Sequence, residues 1–345
     1  MKRFTLSLLA ILAIPLTAFA FDRGQVQTFA VLPAGATGPE GLEVDAKGNA
    51  FVTTFGFNAQ GAATGPGQLY EFDRNGKLIR QVSIANSSPH LLGVRLHPQT
   101  GALLVVDFGN DVVLNVDPRT GASTVFMTVP NPLPHPELGS ELNDITFDKA
   151  GNVFVSDSTQ GVIWKTGPRG GVGAVWTDDP LLRTAGVPPF GANGIRFNNG
   201  ETAFFATNTG DDRLIKIPVA NGVAGKATVF ANSINGADGL IIDAHDNLWV
   251  CANQGDEIVV VDPTGKVISK LGDFDGVKNG QPVSLLFPAS LRFVGQDILV
   301  TNLALDLRLF DPSFVSVDSE WAAQVTRYTV SRIRARLDDD LVRGH

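Results

Sequence analysis

The chain is poor in most of what marks the common enzyme sites. It holds one cysteine, Cys251, so no internal disulfide can staple the fold. That thiol sits in the apolar run Leu248 to Ala252 and reads as inert core. The sequence contains no Gly-x-Ser-x-Gly elbow, no phosphate loop ending in Gly-Lys-Ser or Gly-Lys-Thr, and no paired-cysteine motif. Positive charge is also short: 27 Lys and Arg stand against 35 Asp and Glu, and the formal net charge of −8 excludes nucleic acid as a partner. Long apolar runs are missing after residue 16. The one near the start, Phe4 to Leu16, is shorter than the ~20 residues of a membrane-crossing helix. It follows Lys2 and Arg3 and precedes Ala18-Phe19-Ala20, which is the pattern of an export signal over residues 1–20. The expected product is therefore an exported protein, periplasmic or secreted, whose mature part has no integral membrane segment.

What is abundant points to strands. Thirty-seven glycines, 20 prolines and many β-branched residues, with few stretches of helical spacing, favour an all-β chain of short strands and tight turns. Six segments share one plan, beginning Glu40-Gly41, Leu92-Gly93, Asn143-Asp144, Asn193-Gly194, Asp238-Gly239 and Ala289-Ser290. Their second residues recur at intervals of 45 to 52 positions. Each opening leads through an apolar alternation to a turn, such as Asp148-Lys149-Ala150-Gly151-Asn152, and then to a strongly apolar strand, such as Val153 to Asp157. Four antiparallel strands per repeat is propeller spacing, so the expected architecture is a single six-bladed β-propeller over residues 21–345.

The ring needs closing. The segment Gln27 to Pro33 resembles Thr124 to Pro130, an outer strand, and is expected to supply the outer edge of the last blade. For the third strand of that blade, both Arg308-Leu309-Phe310 and Val325 to Val330 qualify, and a C-terminal extension is expected from about 313.

In a propeller the inner strands start at one rim of the central channel, so equivalent repeat positions meet in space. The residues that open the six repeats are Glu40, Leu92, Asn143, Asn193, Asp238 and Ala289, four of which are oxygen donors. Two carboxylates and two carboxamides suit a hard divalent cation of the calcium type, while zinc or copper would recruit imidazole or thiolate. Asn and Asp also start strands simply because they favour turns.

On these residues the chain resembles the gluconolactonase, regucalcin and paraoxonase-like group of six-bladed propellers, also called the senescence marker protein family. The likeness runs from about Gly38 to Thr301. It is carried by Pro39-Glu40-Gly41, Asn143-Asp144 with Asp148, Asn193-Gly194, and Asp238-Gly239 with Asp243 and Leu248-Trp249-Val250. The resemblance implies a metal-dependent hydrolase of lactones or other esters, with Ca2+ or a similar ion on Glu40, Asn143, Asn193 and Asp238. It also makes Asp238 the candidate general base and has Asn143 serve both metal and substrate.

Two departures qualify this. Sugar-lactonase members resemble one another in an Arg two residues before the third-blade Asn, where this chain has Glu141, which weakens a sugar-acid assignment. Paraoxonase-like members place a His directly before the second-blade Gly; here that residue is Leu92, with His90 two positions earlier. The loop Pro130 to Ser140, which carries His135, is expected as a lid, and Asp178 to Phe190 as a substrate wall. The expected partner is a small-molecule substrate. The other reading is a non-catalytic propeller, NHL-like or strictosidine synthase-like, that binds a ligand or protein.

Overall fold

The computed structural model describes residues 23–335, so the export signal expected over residues 1–20 lies outside the described residues. None of the described helices is long and apolar enough to cross a membrane.

Six four-stranded antiparallel units follow one another along the described chain, and their innermost strands touch in cyclic order, the sixth against the first. These inner strands are Pro39–Val44, Leu91–Leu96, Leu142–Phe147, Ala192–Phe197, Ala237–Ile242 and Pro288–Val294. The fold is a nearly all-β propeller. Second strands such as Leu103–Asp107, Val153–Asp157 and Leu248–Ala252 are buried at every position. Neighbouring units cover both of their faces, which is why their sequences read as unbroken apolar runs rather than alternations. Outer strands such as Leu78–Ser83 are largely exposed and alternate accordingly. The outer strands of the second and third units also meet, pairing in parallel at Met127–Gly171 and Thr128–Val172.

The turn residues act as the composition suggests. Asp45 accepts the backbone N–H groups of Lys47 and Asn49, and Asp243 those of His245 and Asn247, closing each hairpin with one carboxylate. Gly167 to Gly170 closes a hairpin between the third and fourth strands of its unit.

Val26–Val31 is the outer strand of the sixth unit, as expected, and pairs with Thr329–Arg334. That strand in turn pairs with Asp297–Asn302, so the third strand of the last unit falls inside the segment expected to extend beyond the propeller. Arg308-Leu309-Phe310, the other candidate, falls at a single 3-10 turn, Leu307–Leu309, rather than in a strand. The whole stretch 303–328 becomes a long connection, which runs back over the channel mouth and carries a short helix, Ser319–Ala322.

Candidate metal and hydrolytic site

Every inner strand is interrupted at the same place. Pairing with the second strand shifts register between Pro39 and Leu42, and likewise at Leu91/Val94, Leu142/Ile145, Ala192/Ile195, Ala237/Leu240 and Pro288/Leu291. Two residues there face one on the partner, a bulge of the kind that re-aims a side chain. The first residue of each bulged pair is the one that opens its repeat. The second is glycine in four units because the next inner strand presses on it. A β-carbon on Gly41 would lie 2.2 Å from the Leu92 carbonyl oxygen, and one on Gly239 would lie 2.2 Å from that of Ala289.

A hydroxyl from the preceding unit fixes most of these openings. Thr301 donates to the carbonyl of Glu40 at 2.8 Å, Ser156 to that of Asn193 at 2.6 Å, Thr207 to that of Asp238 at 2.7 Å and Thr53 to that of Leu92 at 2.6 Å. The loops above the mouth are tied at the ends of the second strands. Asp107 holds Ser88, Asp157 holds Ser140 and Glu141, and the Asn208 amide donates to Leu181 and Arg183.

Glu40, Asn143, Asn193 and Asp238 line one pocket at the channel mouth, each at most 5% exposed. Asn253 joins them, donating from Nδ2 to Asp238 Oδ2 at 3.1 Å. Asn193 donates to Thr209 Oγ1 at 3.0 Å, which is itself tied to the Ala237 carbonyl. The rest of the lining is largely apolar: Phe55, Leu92 and Phe287, Pro188 and Phe190 from the loop 183–190, and Leu303, Leu305 and Leu307 from the long connection. The cavity between these walls measures about 30 Å³.

Four buried oxygens in this group have no hydrogen-bond partner: Glu40 Oε2, Asn143 Oδ1, Asp238 Oδ1 and Asn253 Oδ1. All are acceptors. Leaving a buried polar atom unpaired costs about 1–3 kcal/mol, so four in one pocket call for a shared partner. Burial, and then repulsion by Asp238, push Glu40 well above the usual carboxylate range. Burial raises Asp238 to about 7, against hydrogen bonds from Asn253 and Asn193. A cation meets both demands, because it satisfies several acceptors at once and cancels the repulsion. Among the described residues no cluster of three or more His, Cys, Asp or Glu occurs that could hold a metal ion, so the donor set is two carboxylates and three carboxamides. That chemistry fits calcium or another hard ion rather than zinc.

The histidines stand apart. His90 hydrogen-bonds the Phe55 carbonyl through Nδ1 at 2.7 Å and stacks on Phe57, so it belongs to an aromatic wall that includes Phe108, Phe190 and Phe310. His135 pairs with Asp178 at 2.8 Å. Its loop is held by Gln160, whose amide donates to the carbonyls of His135, Leu138 and Gly139, and it does not line the pocket. The lid position expected for it belongs to the connection 303–328 instead. The expected wall Asp178 to Phe190 does contribute, through Pro188 and Phe190. Glu141 accepts from Thr159 and lies outside the pocket lining.

The repeat reading missed Asn253 because it follows the second strand rather than opening the first. Aligning the residues that follow the second strands, Phe55, Phe108, Ser158, Thr209, Asn253 and Leu303, would have revealed it.

The sequence profile of the SMP-30/Gluconolactonase/LRE-like region matches residues 86–272. The chain belongs to that family. Its fold is similar to a calcium-binding regucalcin from Agrobacterium tumefaciens (18% identity, TM-score 0.61, covering 90% of this chain and 96% of that one). A gluconolactonase from Xanthomonas campestris shares it at 12% identity and TM-score 0.60, covering 91% of this chain and 90% of the other. A virginiamycin B lyase from Staphylococcus aureus shares it at 17% identity and TM-score 0.53, covering 81% and 82%. At these identities the likeness concerns the fold alone. Among curated proteins none matches this member of the SMP-30/gluconolactonase family significantly.

Proposed function

We propose that this family member is a metal-dependent hydrolase of lactones or esters with apolar substituents, exported by the signal over residues 1–20. Glu40, Asn143, Asn193 and Asp238 hold the ion, calcium or another hard divalent cation, and Asn253 completes the protein's share of the shell. The four unpaired acceptor oxygens at the foot of an apolar pocket carry this reading. Bound there, a divalent cation supplies Lewis-acid polarisation of the substrate carbonyl.

The chain's own groups account for the rest. Asp238 keeps Oδ2 on the Asn253 amide, so its unpaired Oδ1 is the oxygen left to face the ion and to take a proton from the attacking water. A bound cation would draw that carboxyl down from where burial alone sets it, so the base acts through its position beside the ion rather than through a raised pKa. As Asp238 removes that proton, the water oxygen bonds to the carbonyl carbon, the ring or ester C–O bond breaks, and the leaving oxygen recovers a proton. Asn143 holds the substrate beside the ion. Phe55, Phe190, Leu303, Leu305 and Leu307 exclude bulk water and offer no partner for the hydroxyls of a sugar acid, which directs the site to alkyl or aryl substituents.

The test is a paired measurement on the mature protein: calcium-dependent melting temperature, and kcat/KM on alkyl-substituted lactones against a sugar lactone. A rise in melting temperature with calcium, lost in chelator, together with preference for the alkyl substrate, is the expected result. Indifference to calcium and to chelator overturns the metal site. Calcium binding without turnover on any lactone or ester would leave a ligand-binding propeller. Amino-terminal sequencing of exported protein, expected to begin at Phe21, tests the signal.

A further inference from the structure

Below the mouth the channel reverses its chemistry. Three residues beyond each bulge opening, the inner strands carry Glu43, Arg95, Thr146, Arg196, Ile241 and Arg292, so the second, fourth and sixth units each place an arginine at this level. Their side chains are 6%, 13% and 11% exposed. Arg95 donates to the carbonyls of Val94 at 2.7 Å and Leu42 at 3.2 Å, and to Asp144 Oδ1 at 2.5 Å. Arg196 donates to Asp144 Oδ2 at 2.8 Å and to the carbonyls of Ile145 and Ile195. Arg292 donates to the Leu291 carbonyl at 2.5 Å and reaches Glu43 at 3.5 Å.

These contacts leave a remainder. Arg95 Nε, Arg196 Nη2 and Arg292 Nη2 are buried with no acceptor. Three guanidinium charges also face only two carboxylates, Glu43 and Asp144. Burial lowers Arg196 to about 10, and repulsion by Arg95 adds to this. Water would accept from at most two of the three donors and would leave the excess charge in place. A small anion answers both, because a halide accepts several N–H groups from different directions and carries one negative charge.

We propose that this level of the channel binds a single small monovalent inorganic anion of the chloride class between Arg95, Arg196 and Arg292. The site rests on donors other than those of the mouth, but the two levels share a field, since Arg95 and Asp144 act on Glu40 and Asp144 acts on Asp238, and its test is therefore run without calcium. Its role is to lock three alternate units to one axial charge, in the way the mouth ligands gather four units around another.

The experiment uses the mature protein in metal-free buffer at fixed ionic strength, with methanesulfonate, an anion larger than a halide, replaced stepwise by chloride or bromide. Melting temperature should rise saturably with either halide. Crystals soaked in bromide should show an anomalous peak between the three guanidinium groups. Arg292→Gln removes one charge-assisted donor, worth about 1.5–3 kcal/mol, and should weaken halide affinity by about tenfold or more. Arg292→Lys, which keeps the charge, should retain part of the response. A melting temperature blind to halide, or bromide found only on the outer surface, overturns the proposal. The crystallographic arm uses the unmodified chain and so decides even where the Gln variant fails to fold.

Discussion

The mouth and the channel below it are the same six strands about 10 Å apart, and they fail to satisfy themselves in opposite ways. At the mouth four buried acceptors lack donors, while at the arginine level three buried donors lack acceptors. Because neither level satisfies itself completely, neither is a core position that happened to be polar. Buried polar groups left over on one side of the ledger mark a place prepared for something the chain does not itself supply. The repeat explains how such unlike sites arise so close together, since each level draws one residue from each unit.

The sharpest way to break the comparison is at Asp238. Asp238→Ala should reduce hydrolysis by about 10²–10⁴-fold and abolish the calcium-dependent rise in melting temperature, while the bromide response of the channel stays. Steady-state kinetics and calorimetry read the two halves separately. Next in size, Asn253→Ala removes the amide that holds Asp238 Oδ2. Calcium affinity should fall by about 10–100-fold, measured by isothermal titration, with halide affinity unchanged.

A third site sharpens the contrast because it resolves an excess of acceptors with a proton instead of an ion. The carboxyl of Asp318, on the long connection, lies close enough to that of Asp256 for each to shift the other's titration. Burial and then the Asp318 charge raise Asp256 to about 8, with Asp273 adding to the repulsion, and burial raises Asp318 to about 6. Raised carboxyl pKa values mean that the unfolded chain ionises first. The pair's contribution is therefore full below about pH 4 and is lost as pH rises to about 8. Chemical denaturation across that window should show declining stability, and Asp318→Asn should flatten the decline.

The smallest effect separates the polar arc of the mouth from its apolar arc. Thr207→Val and Thr53→Val each delete one buried hydroxyl bond, at 2.7 Å and 2.6 Å, and should cost about 1 kcal/mol in urea unfolding. Only Thr207→Val should also weaken calcium binding, because its partner is the carbonyl of Asp238, whereas Thr53 anchors Leu92.

The repeat made the ring and four of the mouth residues legible in the sequence, for a reason the bulges make plain. A close approach between inner strands demands glycine after Glu40, Asn193 and Asp238, and the bulge aims the preceding side chain inward, so one spacing encodes both packing and site. What escaped obeys no such spacing. Arg308-Leu309-Phe310 and Val325 to Val330 both alternate acceptably, and the choice of Thr329–Arg334 depends on pairing with Val26–Val31, hundreds of positions away. The lid was misplaced because Gln160, a residue of an ordinary turn, binds the loop 130–140 back onto its own unit. Asn253 and the hydroxyls of Thr301, Ser156 and Thr207 were in view, but at repeat positions other than the one compared.

The sixth unit is a seam, sewn from residues 26–31 and 329–334, and it stands between the units that bear Asp238 and Glu40. Thr301 of that same unit holds the Glu40 carbonyl. An emerging chain therefore has most of its ligands long before it has a socket. On the proposed metal reading, capture of the ion would report that the circle has been completed, and a cut anywhere between residues 303 and 329 should erase the socket while five units remain whole.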